Sequence, residues 1–568
     1  AEVGETRMVR EADPDGISYV YRYDGEKWEK IQAIDVTLVN EVDRRLSAQL
    51  AETMNYMAEF AVSATQNGFI GNGTEDDTIL LNDLIHFVSE RGGGIVYLPS
   101  RDIPYLIHTQ TSIKMADNIK LLLDVNTTIK ATPTGNSAYS IIECRDISNF
   151  EVEGGRIIGE RHEHIGESGQ WGHGIKLMGA SNYRIRNTEI SECWGDGIYV
   201  GPSLEKPYSE DGLIENVKCD DNRRNAIAIT SAKGLTINTS HLTSTNGHAP
   251  SAGIDIEPNS IDDYIEGIRI NNPVTENNDG FGIVVAFANL YNSHKNVDVL
   301  ILNHKDNGSH IPFSVAKSRG GFGGFVNNIE PEYKDSRNKA IYVSNYMSSG
   351  AKVSVKNPYI SNPFSESGIQ ESARYGNAIS ITRDSSGYTD GKLGNVHIEG
   401  AIIIEDEIKS YAPFGIFDDM KDELGIEDIS FINPVKLTDK RIVNRGGGFL
   451  NLSDEHKQLH TDLTQSGTTL INNFNVVKHI DNRGADGARL VSLSSNLEIG
   501  TKLTITVKRA HKLTVSPPQG EEMRPLRTRW VEFNSNRFGT SIEIEKITKN
   551  IWIVNNIVGT WDNLNESV

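Results

Sequence analysis

The stretch Gly172-His173-Gly174-Ile175-Lys176-Leu177 decides the fold, because the chain repeats it. It returns as Gly195-Asp196-Gly197-Ile198-Tyr199-Val200 and as Asn225-Ala226-Ile227-Ala228-Ile229. Two more copies are Ala252-Gly253-Ile254-Asp255-Ile256-Glu257 and Phe281-Gly282-Ile283-Val284-Val285. The small residue of each copy stands at 174, 197, 226, 253 and 282, giving steps of 23, 29, 27 and 29 residues. A repeat of this length built on strand alternation marks a solenoid with one coil per repeat. A second strand family lies between the copies. It includes Asn149-Phe150-Glu151-Val152, Asn182-Tyr183-Arg184-Ile185 and Gly267-Ile268-Arg269-Ile270, each alternating and each opened by Asn or Gly. Two such strands and a short third per coil make a parallel β-helix.

Outward from the repeat, the chain changes character several times. Residues 1–33 read as a small N-terminal anchor or arm, with an alternating run at Ile17–Tyr21 before a turn at Asp24-Gly25. Residues 34–66 read as a helical coiled-coil stem. Val39, Val42, Leu46, Leu50, Met54, Met57 and Ala61 form a heptad seam with one stutter. The β-helix is expected over 67–438. It opens with a capping helix whose Leu80, Leu81, Leu84, Ile85 and Val88 line one face, because a solenoid end must cover its open core. Residues 439–568 carry short, evenly spaced strand patterns and read as an antiparallel β-sandwich, a trimerisation or carbohydrate-binding module.

Composition narrows the function classes. With 77 acidic and 56 basic residues the net charge is −21, which argues against nucleic acid or an anionic membrane surface as the main partner. No run of 18 apolar residues is present, so no membrane-spanning helix is expected. Three cysteines, Cys144, Cys193 and Cys219, are too few for a disulfide framework and are expected as buried thiols. The 52 glycines suit tight coil corners with positive φ.

Stacking the copies turns the sequence into a surface. The paired aliphatics 175/177, 198/200, 227/229, 254/256 and 283/285 must point inward, because side chains alternate along a strand. The outer positions are then Lys176/Met178, Tyr199/Gly201, Ala228/Thr230, Asp255/Glu257 and Val284/Ala286. Asp255 and Glu257 become two outward carboxylates on one strand, roughly 6–7 Å apart at Cα. Small neighbours leave them in a shallow acidic groove, with Tyr199 two coils away. Such a pair suits acid/base chemistry on a glycosidic bond, since mutual repulsion raises one pKa. The alternative is a solvated face or a cation site. Asp196 joins as a candidate catalytic residue at a glycine-flanked corner, where it aims at the groove or bonds the backbone. Candidate substrate-binding residues are Arg223, Arg224, Tyr199, His173, His248, Trp171 and Glu167. The two arginines serve an anionic glycan, or one acts as a lyase base, or they are corner residues paired with Asp220 or Asp221. His173 sits at the corner equivalent to that of Asp196 and His248 just before the Asp255 strand, places where a histidine is more often structural. Glu167 and Trp171 belong to a long loop with His162-Glu163-His164. Those two histidines lack a third ligand, so the loop reads as substrate-facing and no metal site is expected. No cofactor is required, with Ca2+ the one ion left open.

Two motifs resemble known proteins. Gly71-Asn72-Gly73-Thr74-Glu75-Asp76-Asp77-Thr78, followed by Gly93-Gly94-Ile95-Val96-Tyr97-Leu98-Pro99, resembles the opening of pectate-lyase-like right-handed β-helix proteins, with Asn72 where that family usually carries Asp. Asn222-Arg223-Arg224-Asn225 and Ala252 to Asn259 are similar to stretches in tailspikes and preneck appendages of Bacillus-type phages. The order of stem, β-helix and a small β-module ending near Gly559-Thr560-Trp561 is also that of tailspikes. The resemblance implies a right-handed β-helix and a homotrimer held on a phage tail or baseplate through its N-terminus. It also implies a virion protein that binds and depolymerises a bacterial capsular polysaccharide or wall teichoic acid. A non-catalytic adhesin or a free bacterial polysaccharide lyase are the alternatives on the same fold.

Overall fold

Alternating apolar residues give strands, and the spacing between them decides how the strands stack. In the computed structural model of the protein, the described residues are 6–9, 17–35, 45, 61–67, 73–419 apart from 373 and 385–390, and 425–438. Beyond 440 they are strands between intervening segments, mostly as backbone. The chain winds as a parallel β-solenoid with three sheets. Two sheets carry the long strands, and the third has 12 short parallel strands, from Tyr105–Ile107 to Lys436–Leu437.

The sheet built from the repeated phrase contains β3 (Trp171–Met178), β4 (Ile198–Gly201), β5 (Asn225–Ile229), β6 (Ala252–Ile256) and β7 (Phe281–Ala286). It runs on through β8 (Ile311–Ser318), β9 (Ile341–Tyr346) and β10 (Asn377–Arg383). Its register is the one the repeat implies. Ile175, Ile198, Ile227, Ile254 and Ile283 stack in one row, and Lys176, Tyr199, Ala228, Asp255 and Val284 in the next. Every isoleucine of the first row is fully buried. Each contributes roughly 1.5–3 kcal/mol by leaving water, and the coils rest on their nearest neighbours. Cys144, Cys193 and Cys219 are free, buried thiols in the same core.

The glycines of the phrase have a different role from the expected one. Gly174, Gly197, Gly253 and Gly282 are absent from the positive-φ residues. A Cβ on Gly174 would stand 2.6 Å from the Gly197 carbonyl oxygen, and one on Gly253 would stand 2.6 Å from that of Gly282. They are required by close approach of the next coil. Positive φ at the corners is taken by other glycines, such as Gly234, Gly267 and Gly308, and by asparagines, which tolerate it and tie coils together. Asn187 and Asn216 are both in that conformation, and Asn216 Nδ2 donates to Asn187 Oδ1 at 2.9 Å.

The ends of the solenoid differ from the sequence boundaries. The first rung is β1 (Ala61–Ser63), paired in parallel with β2 (Gly94–Leu98), and Ala64 is fully buried in the main core. The boundary expected between 66 and 67 therefore cuts through the first coil. The expected stem lies mostly outside the described residues; its first two residues close a strand ending at Asp35, Arg45 is helical, and its last residues are the strand Ala61–Ser63 and the start of a 3-10 helix, Ala64–Asn67. Trp28–Asp35 pairs antiparallel with Ile17–Tyr23, which in turn pairs with Thr6–Val9. The capping helix, α1 (Thr78–Ser89), buries Leu81, Leu84, Ile85 and Val88, but Leu80 is 40% exposed because it falls outside that stripe.

Parallel pairing also continues past 438. Arg441–Arg445 stacks on Ala412–Asp418, and the ladders run on to Lys502–Thr506 and Leu513–Ser516. Among the described residues beyond 438, antiparallel pairing enters with Phe533–Ser535, Ser541–Thr548, Ile551–Val558 and Asp562–Asn563. The expected antiparallel sandwich from 439 is thus not what the described strands form. Period-2 alternation is common to both architectures and does not encode the direction of the partner strand.

Candidate active site

A cleft of about 280 Å³ opens on the outer face of β3 to β6, lined by Trp171, His173, Tyr199, Arg224, Asp255 and Glu257 among others. Five consecutive coils supply it, the first through Ala138. The row Lys176, Tyr199, Ala228, Asp255 forms its floor, and the row Met178, Gly201, Thr230, Glu257 runs beside it. Ala228 lies between Tyr199 and Asp255 and keeps the floor open. Trp171, 48% exposed, stands at the rim.

A third row lies at the corner, two residues before the stacked isoleucines. It consists of His173, Asp196 and Asn225. The glycines beside it let the backbone pass close to the next coil, and its side chains point to polar partners. His173 Nδ1 faces Asp196 Oδ2 at 3.2 Å. Arg224 Nη1 donates to Asp196 at 3.3 and 3.2 Å, while its Nη2 lies 3.9 Å from Asp255 Oδ2. Asn225 Nδ2 donates to Asp255 Oδ2 at 3.2 Å, and Asn225 Oδ1 accepts from the Ala252 amide at 3.1 Å. Tyr199 stacks on His173 with ring centroids 5.1 Å apart, and its hydroxyl is 2.9 Å from Thr230 Oγ1.

The two aspartates carry opposite electrostatics. Burial and the charge of Glu257 push Asp255 up to about 8, with Arg224 only partly opposing them. Burial would raise Asp196 too, but the charge of Arg224 and the contact with His173 outweigh it and hold Asp196 below its ordinary value. His173 is lowered by burial, with Asp196 pulling the other way. At neutral pH Asp255 is therefore a carboxylic acid and Asp196 a carboxylate. Enzymes separate acid from base by this means.

The structure brings together Asp255, Glu257, Asp196, Tyr199, His173, Arg224 and Trp171, and corrects the description of several. Asp255 is only 3% exposed, so the groove around it is not shallow. Asn225 and Arg224 of the preceding coil stand against its carboxyl, at 3.2 and 3.9 Å. Asp196 is fully buried beneath the cleft and lines no part of it. Arg223 faces away: its guanidinium lies 3.7 Å from the Trp194 ring and donates to the Gly169 carbonyl at 2.9 Å. Neither arginine pairs with Asp220 or Asp221; Arg161 takes Asp221 at 2.7 Å. His248 is half-buried outside the lining, its amide bonded to the Arg223 carbonyl at 2.8 Å. Glu167 is exposed and also outside it. The loop of His162 and His164 is held by side-chain contacts on one side and exposed on the other. His162 Nε2 meets Asp221 Oδ2 at 2.6 Å, and His164 stacks on Trp194 at 3.7 Å and bonds Glu160 at 2.9 Å. Among the described residues no group of three or more His, Cys, Asp or Glu side chains is arranged to hold a metal ion.

Asn225, Thr230, Lys176 and Asn259 complete the site and were not singled out as site residues. Lys176, Asn225 and Thr230 share rows with residues that were, so the repeat register contained the signal.

Residues 106–262, which include the whole cleft, match the family model described as a right handed beta helix region. The chain is 30% identical to the uncharacterized protein YclG of Bacillus subtilis (strain 168), over 44% of this chain and 46% of that protein. It is 28% identical to the SPbeta prophage-derived uncharacterized protein YorA of the same organism, over 34% of this chain and 37% of that protein. The chain thus spans less than half the length of these curated relatives. Among solved structures, the A-module of the Azotobacter vinelandii mannuronan C-5 epimerase AlgE6 covers 73% of this chain and 98% of its own, at 15% identity and a TM-score of 0.50. At that identity the likeness concerns the fold, a right-handed parallel β-helix.

Proposed function

We propose that this chain binds and depolymerises a bacterial surface glycan, as the polymer-processing portion of a phage tailspike. One observation carries the reading: Asp255, in the floor of an aromatic-rimmed cleft, is held protonated near neutral pH by burial and by Glu257. A carboxylic acid so placed gives its proton to the leaving oxygen as the linkage breaks. In hydrolysis, Glu257, two residues further on and just past the end of β6, takes the proton of the attacking water. Asp196, Arg224 and Asn225 are positioning residues, fixing Asp255 and the charge around it. Trp171 and Tyr199 offer ring faces against which sugar rings pack. The solenoid itself supports the glycan reading, because coil stacking gives a long face matched to a linear polymer. The prophage origin of YorA supports the viral part. A parallel homotrimer, tail attachment through the N-terminus and a place on the virion belong to the same proposal.

The test is incubation of the parent chain and Asp255→Asn with purified Gram-positive capsular polysaccharide and wall teichoic acid. New reducing ends, unsaturated sugars or released glycerol phosphate from the parent alone support the reading and identify the bond broken. Polymer retained but never cut by the parent would make the chain an adhesin.

A further inference from the structure

The face that carries the cleft does not end with it. Beyond Asp255 its row continues through Val284, Ser314, Tyr342 and Ser380. The row beside it continues through Ala286, Ala316, Ser344 and Thr382. The residues of both rows between the cleft and Tyr342 are therefore small, so no bulky side chain of these rows separates the two along β7 and β8. Three coil steps of about 4.8 Å put Tyr342 roughly 14 Å from Asp255.

At that point the corner row becomes polar again. Lys339 stands two residues before Ile341, as His173 stands two before Ile175. It is only 5% exposed. Its ammonium lies 4.5 Å from the ring centroid of Tyr342 and 6.0 Å from that of Tyr375. Among the described residues that ammonium has no ion-pair or hydrogen-bond partner. Asp384 acts on it only from a distance, being itself held by Arg374 at 2.5 Å. Beneath Tyr342, the fully buried Ser380 Oγ also has no partner among the described residues. Tyr375 is 46% exposed and braced by the Arg374 guanidinium, 4.8 Å from its ring. Arg374 is fixed in turn by Asp384 and by Asp419 at 2.6 Å.

A buried ammonium without a paired counter-charge is expensive, and two aromatic faces and the more distant Asp384 offset only part of the cost. Burial pushes Lys339 down to about 8, which leaves it protonated at neutral pH and in want of an anion. We propose that Lys339, Tyr342 and Tyr375 form a distal subsite for an anionic sugar substituent, carboxylate or phosphate, on the same polymer strand that occupies the Asp255 cleft. The proposal rests on the reading of that cleft as a glycan site. It adds the substrate class: an acidic polymer whose charge falls some coils away from the linkage being cut.

Binding is measured on the full chain carrying Asp255→Asn, so that cleavage does not intervene and each reading can fail separately. The probes are polygalacturonate for carboxylate, poly(glycerol phosphate) teichoic acid for phosphate, and dextran as a neutral control. Lys339→Gln is expected to weaken binding of at least one anionic polymer roughly tenfold or more and to flatten its salt dependence. Lys339→Arg restores much of the loss, and the polymer affected identifies the anion. Tyr375→Ala, at an exposed ring, carries the same test should Lys339→Gln lose its cooperative melt. Failure of the Asp255→Asn chain to bind either anionic polymer overturns the proposal. So does binding unchanged by both Lys339→Gln and Tyr375→Ala.

Discussion

Asp196 and Asp255 sit two coils apart, share the guanidinium of Arg224, and titrate in opposite directions. The difference is one of contact. Arg224 reaches Asp196 at 3.2 Å, with His173 on the other side, whereas Asp255 has the guanidinium at 3.9 Å and Glu257 two residues away. Both carboxyls are desolvated, so the nearer cation decides which one stays ionised.

Asp255→Asn is expected to lower polymer cleavage on the order of 10²-fold or more, because the amide keeps the shape and loses the transferable proton. Reducing-end assays against polymer, with a thermal melt confirming the fold, check this. Cleavage at the parent rate would remove Asp255 from the chemistry.

The pH profile follows from the same group. Cleavage that needs protonated Asp255 should fall as pH rises through about 8. Glu257 raises Asp255, so Glu257→Gln should move the alkaline limb of its residual activity to lower pH. The measurement is kcat/KM against pH for both chains, and an alkaline limb that stays in place would sever the link between the two carboxyls.

Stability should show the same proton. The folded-state pKa of Asp255 lies above its unfolded value of 3.8, so its favourable contribution is complete below that value and is lost as pH rises through about 8. Asp255→Asn has no charge to bury. It should be more stable than the parent at pH about 9, by on the order of a few kcal/mol, and the gap should close toward pH about 4. Denaturant melts across pH test it, and a constant difference between the chains would count against the assignment.

Gly174→Ala should destabilise the solenoid by about 1–3 kcal/mol, because the new Cβ meets the Gly197 carbonyl oxygen at 2.6 Å and Ile190 Cγ2 at 2.7 Å. Positive φ is not the reason, since Gly174 does not adopt it. A thermal melt equal to that of the parent would show that the coils separate more readily than their packing implies.

Trp171→Ala should weaken polymer binding roughly tenfold with little change in the melt, since the ring stands at the rim and is 48% exposed. Titration with the polymer that the parent cuts provides the measurement.

The sequence alone determined the coil, its register and the two outward rows. A period-2 strand repeated every 23 to 29 residues admits one stacking in which all the large aliphatics are buried, and a one-residue slip would expose every one of them. That reasoning placed Asp255, Glu257 and Tyr199 on one face. It could not say that Asp255 is buried, because burial depends on Arg224 and Asn225 folding over it from the preceding coil. Nor could it separate Arg224 from Arg223. Adjacent residues at a corner point in different directions, and only the packed corner sent one to Asp196 and the other onto Trp194. The extent of parallel stacking beyond 438 was hidden for a related reason, since alternation specifies which face of a strand is buried and leaves its partner's direction open. Inward and outward positions are set by local periodicity. Partners, desolvation and the resulting pKa values arise between coils, and only the tertiary structure decides them.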